Sequence, residues 1–403
     1  MCHESIMNSR SMAGVSAGGV PILRGLFSIA LVLICLVAVS AQAQESSGDA
    51  TSDLLSEFHA ANHRLPLASY KLPKAITFCG EHVPIELWDV KERLEREFLS
   101  ILSGEPLVIL WLKRANRYFP HIESHIRLAG LPDDVKYMTV VESSLNPQAR
   151  SGAGAVGMWQ FIRSTGRSYG MSHTYWLDER RDFEKATDGA LRYLKDLFED
   201  FQSWPLALAA YNSGAERVRE AMLTQRVVNY YQLALPRETE RYVFRIIAAK
   251  IILENPARYG FALEAAELYE PLPTTWINLR VRGSRLHLRD VAEAGGTYFR
   301  HIKKLNPQLR RDSLPRGLHR IRVPAGAAKD FPANLQAIRQ RNSRQTMAAL
   351  KGRKAVKYRV KKGDSLWAIS ERYGVTIKAL RKWNSIRKGE PIYAGERLLI
   401  YIK

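Results

Sequence analysis

Cysteine and long apolar runs are both scarce in this sequence. Three of the 403 residues are cysteine, which excludes a disulfide-stabilised scaffold. A single long apolar run excludes a polytopic membrane protein. Hydrophobic residues make up 46% of the chain and charged residues 25%, which excludes a chain that is disordered throughout. At roughly 100–200 residues per domain, the length predicts two or three domains.

Acidic residues are scarce in the last third of the chain. Residues 271–403 contain 31 Lys and Arg but 8 Asp and Glu, a net charge of +23, whereas residues 1–270 contain 29 and 32, a net charge of −3. A basic segment of this size suits nucleic acid, anionic lipid or an acidic polymer. A solvated basic surface without any single partner is the alternative.

The one long apolar run lies near the amino terminus and resembles an export signal. Arg10 and Arg24 precede the run Leu26–Val39, which is short for a membrane span but suits a signal-peptide core. Ala41-Gln42-Ala43 follows with the spacing of a cleavage site. We therefore predict a signal peptide over residues 1–43 and a mature chain that begins near Gln44. A signal anchor that stays uncut is the alternative.

Export changes how the cysteines and the basic segment are interpreted. Cys2 and Cys35 would leave with the signal, so Cys79 would be the single thiol of the mature chain and no intramolecular disulfide could form. Lipoprotein processing at Cys35 is disfavoured because Leu33-Ile34 precedes it instead of a small residue. An exported protein meets little nucleic acid. Acidic envelope polymers and membrane surfaces are therefore the favoured partners of the basic segment.

The mature chain divides into segments of different character. Residues 44–104 form an N-terminal extension with no clear pattern, and residues 105–257 have the periodicity of a nearly all-helical block. Residues 325–354 lack a core-forming pattern and are predicted to be a linker. Residues 356–403 follow the order strand, helix, helix, strand.

Helix boundaries can be predicted inside the helical block. Asp182 is a candidate N-cap for a long helix. A helix over Trp204–Ala210 is predicted to break at Tyr211-Asn212, because Ser213 and Glu216 have the spacing of a capping box for the next helix.

Glu142 is the strongest candidate for catalytic chemistry. It ends the apolar stretch YMTVVE and is followed by two serines instead of basic residues. An apolar wall disfavours the charged form of a carboxyl, so its pKa rises into the range useful to a general acid. An isolated helix-end carboxylate without a role is the alternative.

Two further segments carry groups that suit sugar recognition. Ser151 and Gln160 begin and end the pattern S-x-x-G-x-x-G-x-x-Q, in which glycines allow close backbone approach and the polar ends can bond hydroxyls. Tyr211 and Asn212 supply an aromatic ring and an amide at a helix junction. When each segment is considered alone, the alternatives are a flexible turn for the first and a plain helix cap for the second.

Taken together, these segments resemble the soluble lytic transglycosylase family of peptidoglycan lyases. The matching stretches span Glu142–Val243 and are ESSLNPQARSGAGAVGMWQFIRSTG, DERRD, LALAAYNSG and LPRETERYV. The tail, with YRVKKGDSLWAISERYGVTIKALRKWN and IYAGERLLI, resembles a LysM module. Residues 278–324 resemble a degenerate LysM-like unit without the G-D-S-L turn. The resemblance implies a mainly α, lysozyme-like catalytic domain (α+β class) over 105–257, followed by a small βααβ LysM domain.

The resemblance also assigns roles to individual residues. Glu142 would be the single catalytic acid and base. Substrate contacts would come from a second group of residues: Ser151, Gln160, Tyr211, Asn212 and Tyr242. By the same resemblance, Tyr242 would stand near Glu142. In the LysM module, glycan would contact Gly363, Asp364, Ser365 and Ile392. No metal and no cofactor are implied.

The activity implied is cleavage of the bond between N-acetylmuramic acid and N-acetylglucosamine, with formation of 1,6-anhydromuramyl ends. The partners would be peptidoglycan glycan strands and not nucleic acid, with peripheral association to the envelope or a membrane. The location would be the periplasm or cell envelope, with the outer membrane as one option. Two alternatives stay open: a hydrolase of goose-type lysozyme character, and a non-catalytic peptidoglycan-binding protein.

Overall fold

A computed structural model describes residues 70–282, 285–349 and 351–402 of the chain. The predicted signal peptide over residues 1–43 lies outside these residues. None of the helices in the described ranges combines the length and the apolar character that a membrane span needs.

The described chain begins with a short hairpin and a helix that belong to the core of the helical block. Strands β1 (Thr77–Phe78) and β2 (Glu81–His82) pair antiparallel, and helix α1 covers Trp88–Leu102. One face of α1 is buried, with apolar residues four apart: Val90, Leu94, Phe98 and Leu102. This part of the predicted N-terminal extension therefore packs into the same core as the helices that follow.

Seven more helices complete the first domain. They are α2 (Glu105–Ala129), α3 (Met138–Ser143), α4 (Arg163–Ser168), α5 (Phe183–Phe201), α6 (Trp204–Ser213), α7 (Ala215–Gln225) and α8 (Arg237–Glu254). Helix α8 is the central one and packs against α1, α3 and α6. Asp182 caps α5 as predicted, because its side chain accepts a hydrogen bond from the Lys185 amide.

A buried ion pair joins the extension to α8. Glu97 of α1 is buried and accepts hydrogen bonds from Arg241 (2.7 and 3.0 Å) and from Arg245 (3.3 Å). Burying a carboxylate without such partners would lower the stability of the fold. Because both arginines belong to α8, the pairing fixes α1 against the central helix.

The predicted end of α6 was wrong by several residues. The helix continues through Tyr211 and Asn212 to Ser213 and breaks at Gly214, whose φ of +91° ends the helical path. Ser213 forms no capping box. Its hydroxyl donates to the Ala209 carbonyl one turn back (3.0 Å), which a serine inside a helix can do. The glycine carries the break because it has no Cβ to oppose a positive φ.

The second domain follows the order of a LysM fold. Strand β3 (Thr274–Val281) pairs antiparallel with β6 (Gly317–Pro324), and the chain between them forms β4 (Leu286–His287), α9 (Leu288–Ala294), α10 (Phe299–Leu305) and β5 (Ser313–Leu314). These elements surround a core of their own.

The predicted linker over residues 325–354 was also wrong, because it contains helix α11 (Phe331–Ala349). Phe331, Leu335 and Ile338 are buried in the core of the second domain, and α11 packs against α9. The three residues are spaced four and three apart, which is one face of a helix. The helical periodicity of this segment was hard to recognise because its few buried apolar residues lie among many polar ones.

The third domain has the βααβ order that the sequence predicts. Strands β7 (Lys354–Arg359) and β8 (Arg397–Ile402) pair antiparallel, and helices α12 (Leu366–Tyr373) and α13 (Ile377–Asn384) lie between them along the chain. Its core includes Ile369, Leu380 and Ile400. The predicted fold class, a mainly α domain followed by a small βααβ domain, is confirmed.

Candidate active site

Glu142 lies in the last turn of α3, just before the chain turns sharply. Ser144 and Leu145 both have positive φ angles (52° and 57°), and the Arg114 guanidinium donates to the Ser144 carbonyl (2.8 Å). Leu145 is fully buried. An apolar side chain buried in the core and a bonded carbonyl compensate the strain of two consecutive left-handed residues.

The Glu142 carboxyl is hydrogen-bonded to a single tyrosine. The Tyr242 hydroxyl donates to Oε1 of Glu142 at 2.6 Å. Burial raises the pKa of Glu142 to about 7, the Tyr242 hydrogen bond opposes that rise, and the charge of Glu238 adds to it. A substantial fraction of Glu142 is therefore protonated at neutral pH, as a general acid requires.

A second tyrosine shares this environment. The Tyr211 hydroxyl donates to the Trp159 carbonyl (2.7 Å). Burial raises the pKa of Tyr211, and the charge of Glu142 contributes to that rise. Burial and the charge of Glu142 raise the pKa of Tyr242 in the same way. The three side chains therefore lie within electrostatic range of one another.

The glycine-spaced segment Ser151–Phe161, here called the active-site loop, is folded on itself. The Ser151 hydroxyl oxygen accepts a hydrogen bond from the Ala155 amide (3.0 Å), and the Gln160 side-chain nitrogen donates to the Gly157 carbonyl (2.7 Å). Gly154 and Gly157 have φ angles of +82° and +90°. Ser151 and Gln160 thus stabilise the loop's shape.

Hydrogen bonds connect the active-site loop to the residues around Glu142. Ser143 donates to the Met158 carbonyl (2.8 Å), and Tyr211 donates to the next carbonyl, that of Trp159. The fold therefore brings the loop, the end of α3 and Tyr211 of α6 together around one carboxyl.

Asn212 is tied to α8 instead of to the loop. Its Oδ1 accepts a hydrogen bond from the Thr239 hydroxyl (3.0 Å), three residues before Tyr242. The Asn212 amide nitrogen has no partner among the residues that the structure describes. Tyr242 is buried and its hydroxyl is used by Glu142, so it orients the carboxyl more than it offers surface to a ligand.

Three family models match this chain. The transglycosylase SLT domain matches residues 126–233, which include Glu142 and the active-site loop. The chain contains an SLT domain. The LysM-like domain of the lytic transglycosylase MltD matches residues 280–340, and the LysM domain matches residues 358–400.

Curated proteins similar to this chain include two lytic murein transglycosylases. The chain is 32% identical over 297 residues to membrane-bound lytic murein transglycosylase D of Escherichia coli K12, covering 71% of this chain and 64% of that protein. It is 36% identical over 93 residues to membrane-bound lytic murein transglycosylase F of Klebsiella pneumoniae, covering 21% and 17%. The chain thus spans less than two thirds of the length of either relative.

Two solved structures overlap with part of the chain. The 70 kDa soluble lytic transglycosylase of Escherichia coli is 16% identical, with a TM-score of 0.31, covering 46% of this chain and 37% of that one. A lytic transglycosylase Slt of Pseudomonas aeruginosa is 22% identical, with a TM-score of 0.30, covering 38% and 26%. These TM-scores are too low to support an argument about this SLT domain.

The structure adds residues to the SLT site that sequence reasoning missed. Ser143 and Trp159 bridge the loop to its surroundings, and Trp159 also donates its indole N–H to Thr187 (2.9 Å) inside the core. Arg180 donates to two loop carbonyls. Its segment, DERRD, was visible in the sequence as a matching stretch, but nothing in the pattern gave that arginine a role.

In the LysM domain, the predicted glycan residues lie at one end of the sheet. The Gly395 amide donates to the Val360 carbonyl (2.8 Å), so the loop that holds Ile392 adjoins the turn Gly363-Asp364-Ser365. Asp364 accepts hydrogen bonds from the Tyr358 hydroxyl (2.6 Å) and the Lys361 amide (2.7 Å). Ser365 caps α12. These side chains shape the turn, and their contact with glycan stays a prediction.

No cluster of three or more His, Cys, Asp or Glu residues in the described ranges is arranged to hold a metal ion.

Proposed function

We propose that this chain is a peptidoglycan lytic transglycosylase in which Glu142 is the acid and the base. The observation that carries the proposal is a carboxyl whose pKa is raised to about 7 by burial and which is oriented by one tyrosine hydroxyl. It lies beside the active-site loop in an SLT domain. Relatives named lytic murein transglycosylases support the same activity.

One carboxyl is enough for this reaction, although most glycosidases use two. The neighbouring carboxyl whose charge acts on Glu142 belongs to Glu238, and that group is exposed and paired with Arg245 (2.7 Å). It is poorly suited to serve as a buried nucleophile or base. The substrate itself supplies the second group in a lytic transglycosylase.

The proposed steps balance without water. Protonated Glu142 gives its proton to the glycosidic oxygen as the bond from the muramyl C1 breaks, and the muramyl acetamide oxygen stabilises the positive charge at C1. The Glu142 carboxylate then takes the proton of the muramyl 6-hydroxyl while O6 bonds to C1. The products are a 1,6-anhydromuramyl end and a free N-acetylglucosamine 4-hydroxyl. An intramolecular nucleophile has a high effective concentration and so outcompetes water.

The remaining predicted substrate residues are assigned to binding. Ser151, Gln160, Tyr211 and Asn212 would contact the glycan or its acetamide groups, and Tyr242 would orient Glu142. In the LysM domain, Gly363, Asp364, Ser365 and Ile392 would border a shallow groove for N-acetylglucosamine units.

We also propose that the protein is exported and acts in the periplasm or cell envelope. The run Leu26–Val39 with Ala41-Gln42-Ala43 supports cleavage before Gln44. Envelope association is supported by the relatives, which are named as membrane-bound transglycosylases. Amino-terminal sequencing of exported protein tests this. A chain that begins at an acylated Cys35 would refute it.

Product analysis tests the proposed reaction. Purified protein is incubated with peptidoglycan and the released muropeptides are examined by mass spectrometry. Anhydromuramyl ends, 18 Da lighter than reducing ends because no water is added, are the expected products. Reducing ends would assign the chain to the hydrolases, and no release would leave a binding protein.

A further inference from the structure

The LysM-like domain, the second domain from β3 to α11, packs against the SLT domain through a segment that also supports the active-site loop. We propose that this domain acts as a scaffold for the active site, and that Arg180 is the positioning residue that carries its support to the loop. This inference rests on the proposed function. Its physical content is the shape of Ser151–Phe161, which can be measured without any turnover.

All three guanidinium nitrogens of Arg180 donate hydrogen bonds inside the protein. It forms a two-pronged pair with Asp178 (2.9 and 2.8 Å), and both residues are buried. Its third nitrogen donates to the carbonyls of Gly154 (3.2 Å) and Phe161 (2.9 Å). These two carbonyls lie on opposite arms of the active-site loop, so one side chain holds both arms together.

The loop approaches the backbone of Arg180 as closely as a glycine allows. A Cβ atom placed on Gly157 would lie 1.8 Å from the Arg180 carbonyl oxygen. Gly157 also has a φ of +90°. The backbone of Arg180 therefore limits where the loop can lie, and the hydrogen bonds of the Arg180 side chain add a second restraint.

The LysM-like domain holds the segment before Arg180 by backbone pairing. The Asp178 amide donates to the Gln308 carbonyl (2.9 Å), and Leu177 and Leu309 form an antiparallel bridge. The Arg310 amide donates to the Trp176 carbonyl (2.9 Å). Two segments that are far apart in the sequence, one from each domain, thus pair in the manner of β-strands.

A second anchor holds the segment after Arg180. Arg322 of β6 is buried and pairs with Asp182 (3.1 Å) and Glu184 (3.0 Å), and Trp276 of β3 donates to Glu184 (3.2 Å). Arg180 therefore lies between two attachment points that both belong to the LysM-like domain.

From the loop, the support reaches the catalytic carboxyl. The Met158 carbonyl accepts a hydrogen bond from Ser143, which follows Glu142 in the sequence. The Trp159 carbonyl accepts one from Tyr211, whose pKa is raised in part by the charge of Glu142. The LysM-like unit lacks the G-D-S-L turn that the third domain has. A scaffolding role explains why it packs on the SLT domain with buried charged residues.

The primary experiment compares Arg180→Lys with Arg192→Lys in the full chain. Lysine keeps the charge but cannot form the two-pronged pair and bond two carbonyls as well. Arg192 is exposed and donates to one carbonyl, that of Tyr169 (2.8 Å), so it is a matched control. Hydrogen–deuterium exchange should be about tenfold faster or more in peptides covering residues 151–161 of Arg180→Lys, and unchanged in α8. Unchanged exchange in the loop would overturn the proposal.

Kinetics on short soluble glycans provide the second measurement. A loosened loop should raise KM about tenfold, while the pH dependence set by Glu142 stays as in the unsubstituted protein. A loss of folded protein alone would lower the apparent kcat without changing KM, and that result would count against a positioning role. If the unsubstituted protein shows no turnover, the proposed function fails, whereas the exchange result still decides this inference.

Arg322→Lys tests the part of the proposal that concerns the LysM-like domain. It also replaces Arg180→Lys as the test variant if Arg180→Lys does not fold. It changes a residue remote from the loop and keeps its charge. We expect faster exchange at 151–161, with unchanged sedimentation on insoluble peptidoglycan. Normal loop exchange combined with lost sedimentation would show that the domain is a wall-binding module, and the scaffold proposal would be abandoned.

Discussion

Glu142 owes its proposed acidity to two opposing local effects. Burial disfavours its charged form, and the Tyr242 hydroxyl stabilises that form through a 2.6 Å hydrogen bond. Burial has the larger effect, so the pKa rises from the ordinary range of a glutamate to about 7. A group poised near neutrality can give and take a proton in one cycle.

The first prediction concerns the Glu142 carboxyl itself. Glu142→Gln should reduce turnover of peptidoglycan by about 10²-fold or more, the scale of general acid–base catalysis, because an amide cannot donate the required proton. Binding of glycan and the thermal unfolding midpoint should change little. Glu238→Gln is the matched control, since it removes a nearby carboxyl that is exposed. Near-normal muropeptide release by Glu142→Gln would show that another group is the acid.

The second prediction concerns pH. Because the acid must be protonated before the glycosidic bond breaks, kcat/KM should fall as the pH rises through about 7. Tyr242→Phe removes the hydrogen bond that lowers the pKa of Glu142, so the fall should shift to higher pH while the maximal rate decreases. Tyr230→Phe is a suitable control, because this buried hydroxyl donates to the Glu240 carbonyl (2.8 Å) instead. A shift to lower pH in Tyr242→Phe would contradict the assigned role of the tyrosine.

At the scale of elements, the active-site loop depends on two glycines that differ in their surroundings. Both Gly154 and Gly157 have positive φ angles, but a Cβ on Gly154 would meet open space, whereas one on Gly157 would collide with the Arg180 carbonyl. An alanine at Gly154 would therefore add backbone strain alone, whereas an alanine at Gly157 would add both backbone strain and a steric clash.

The third prediction uses this difference. Gly154→Ala should lower the free energy of unfolding by about 1 kcal/mol, the cost of a left-handed conformation. Gly157→Ala should lower it by about 3 kcal/mol or more, because the backbone must also move, and it should abolish most turnover. Urea unfolding of both variants provides the measurement. Equal losses of stability would show that the close approach of Gly157 to Arg180 does not contribute to the free energy of unfolding.

Helices differ in how well the sequence predicted them. Asp182 was a reliable start for α5, since a capping side chain acts on its own local backbone. The end of α6 and the whole of α11 were missed. The end of α6 is set by a local feature, the positive φ of Gly214. By contrast, α11 depends on contacts from elsewhere in the fold, because its three buried apolar residues pack into the LysM-like core and tertiary packing supplies most helical stability.

At the scale of the whole molecule, the LysM domain contacts the LysM-like domain through buried charges. Arg285 pairs with Glu390 (3.3 Å) and Glu396 (3.0 Å) and donates to the Pro391 carbonyl (2.6 Å). Arg387 also pairs with Asp312. The last domain is therefore packed on its neighbour, and removing it takes away the carboxylate and carbonyl partners of Arg285.

The fourth prediction concerns the contribution of the LysM domain. Deleting residues 351–403, together with Arg285→Gln because the deletion removes the carboxylate partners of Arg285, should weaken sedimentation with insoluble peptidoglycan at least about tenfold. It should also slow digestion of that substrate, because tethering raises the effective substrate concentration. Cleavage of short soluble glycans should be nearly unchanged. A comparable loss on both substrates would show that the LysM domain helps to shape the catalytic site.

The sequence by itself determined the catalytic carboxyl candidate, the glycine-spaced loop, the βααβ order of the last domain and the proposed export signal. Each of these depends on residues that are close along the chain, where spacing translates directly into local structure. Only the tertiary structure showed that Tyr242 bonds Glu142, that residues before 105 complete the core, and that Arg180 links the loop to the LysM-like domain. Those contacts join residues that are 19 to 148 positions apart. The packing of helices and domains decides which distant residues meet, and no local sequence pattern records that packing.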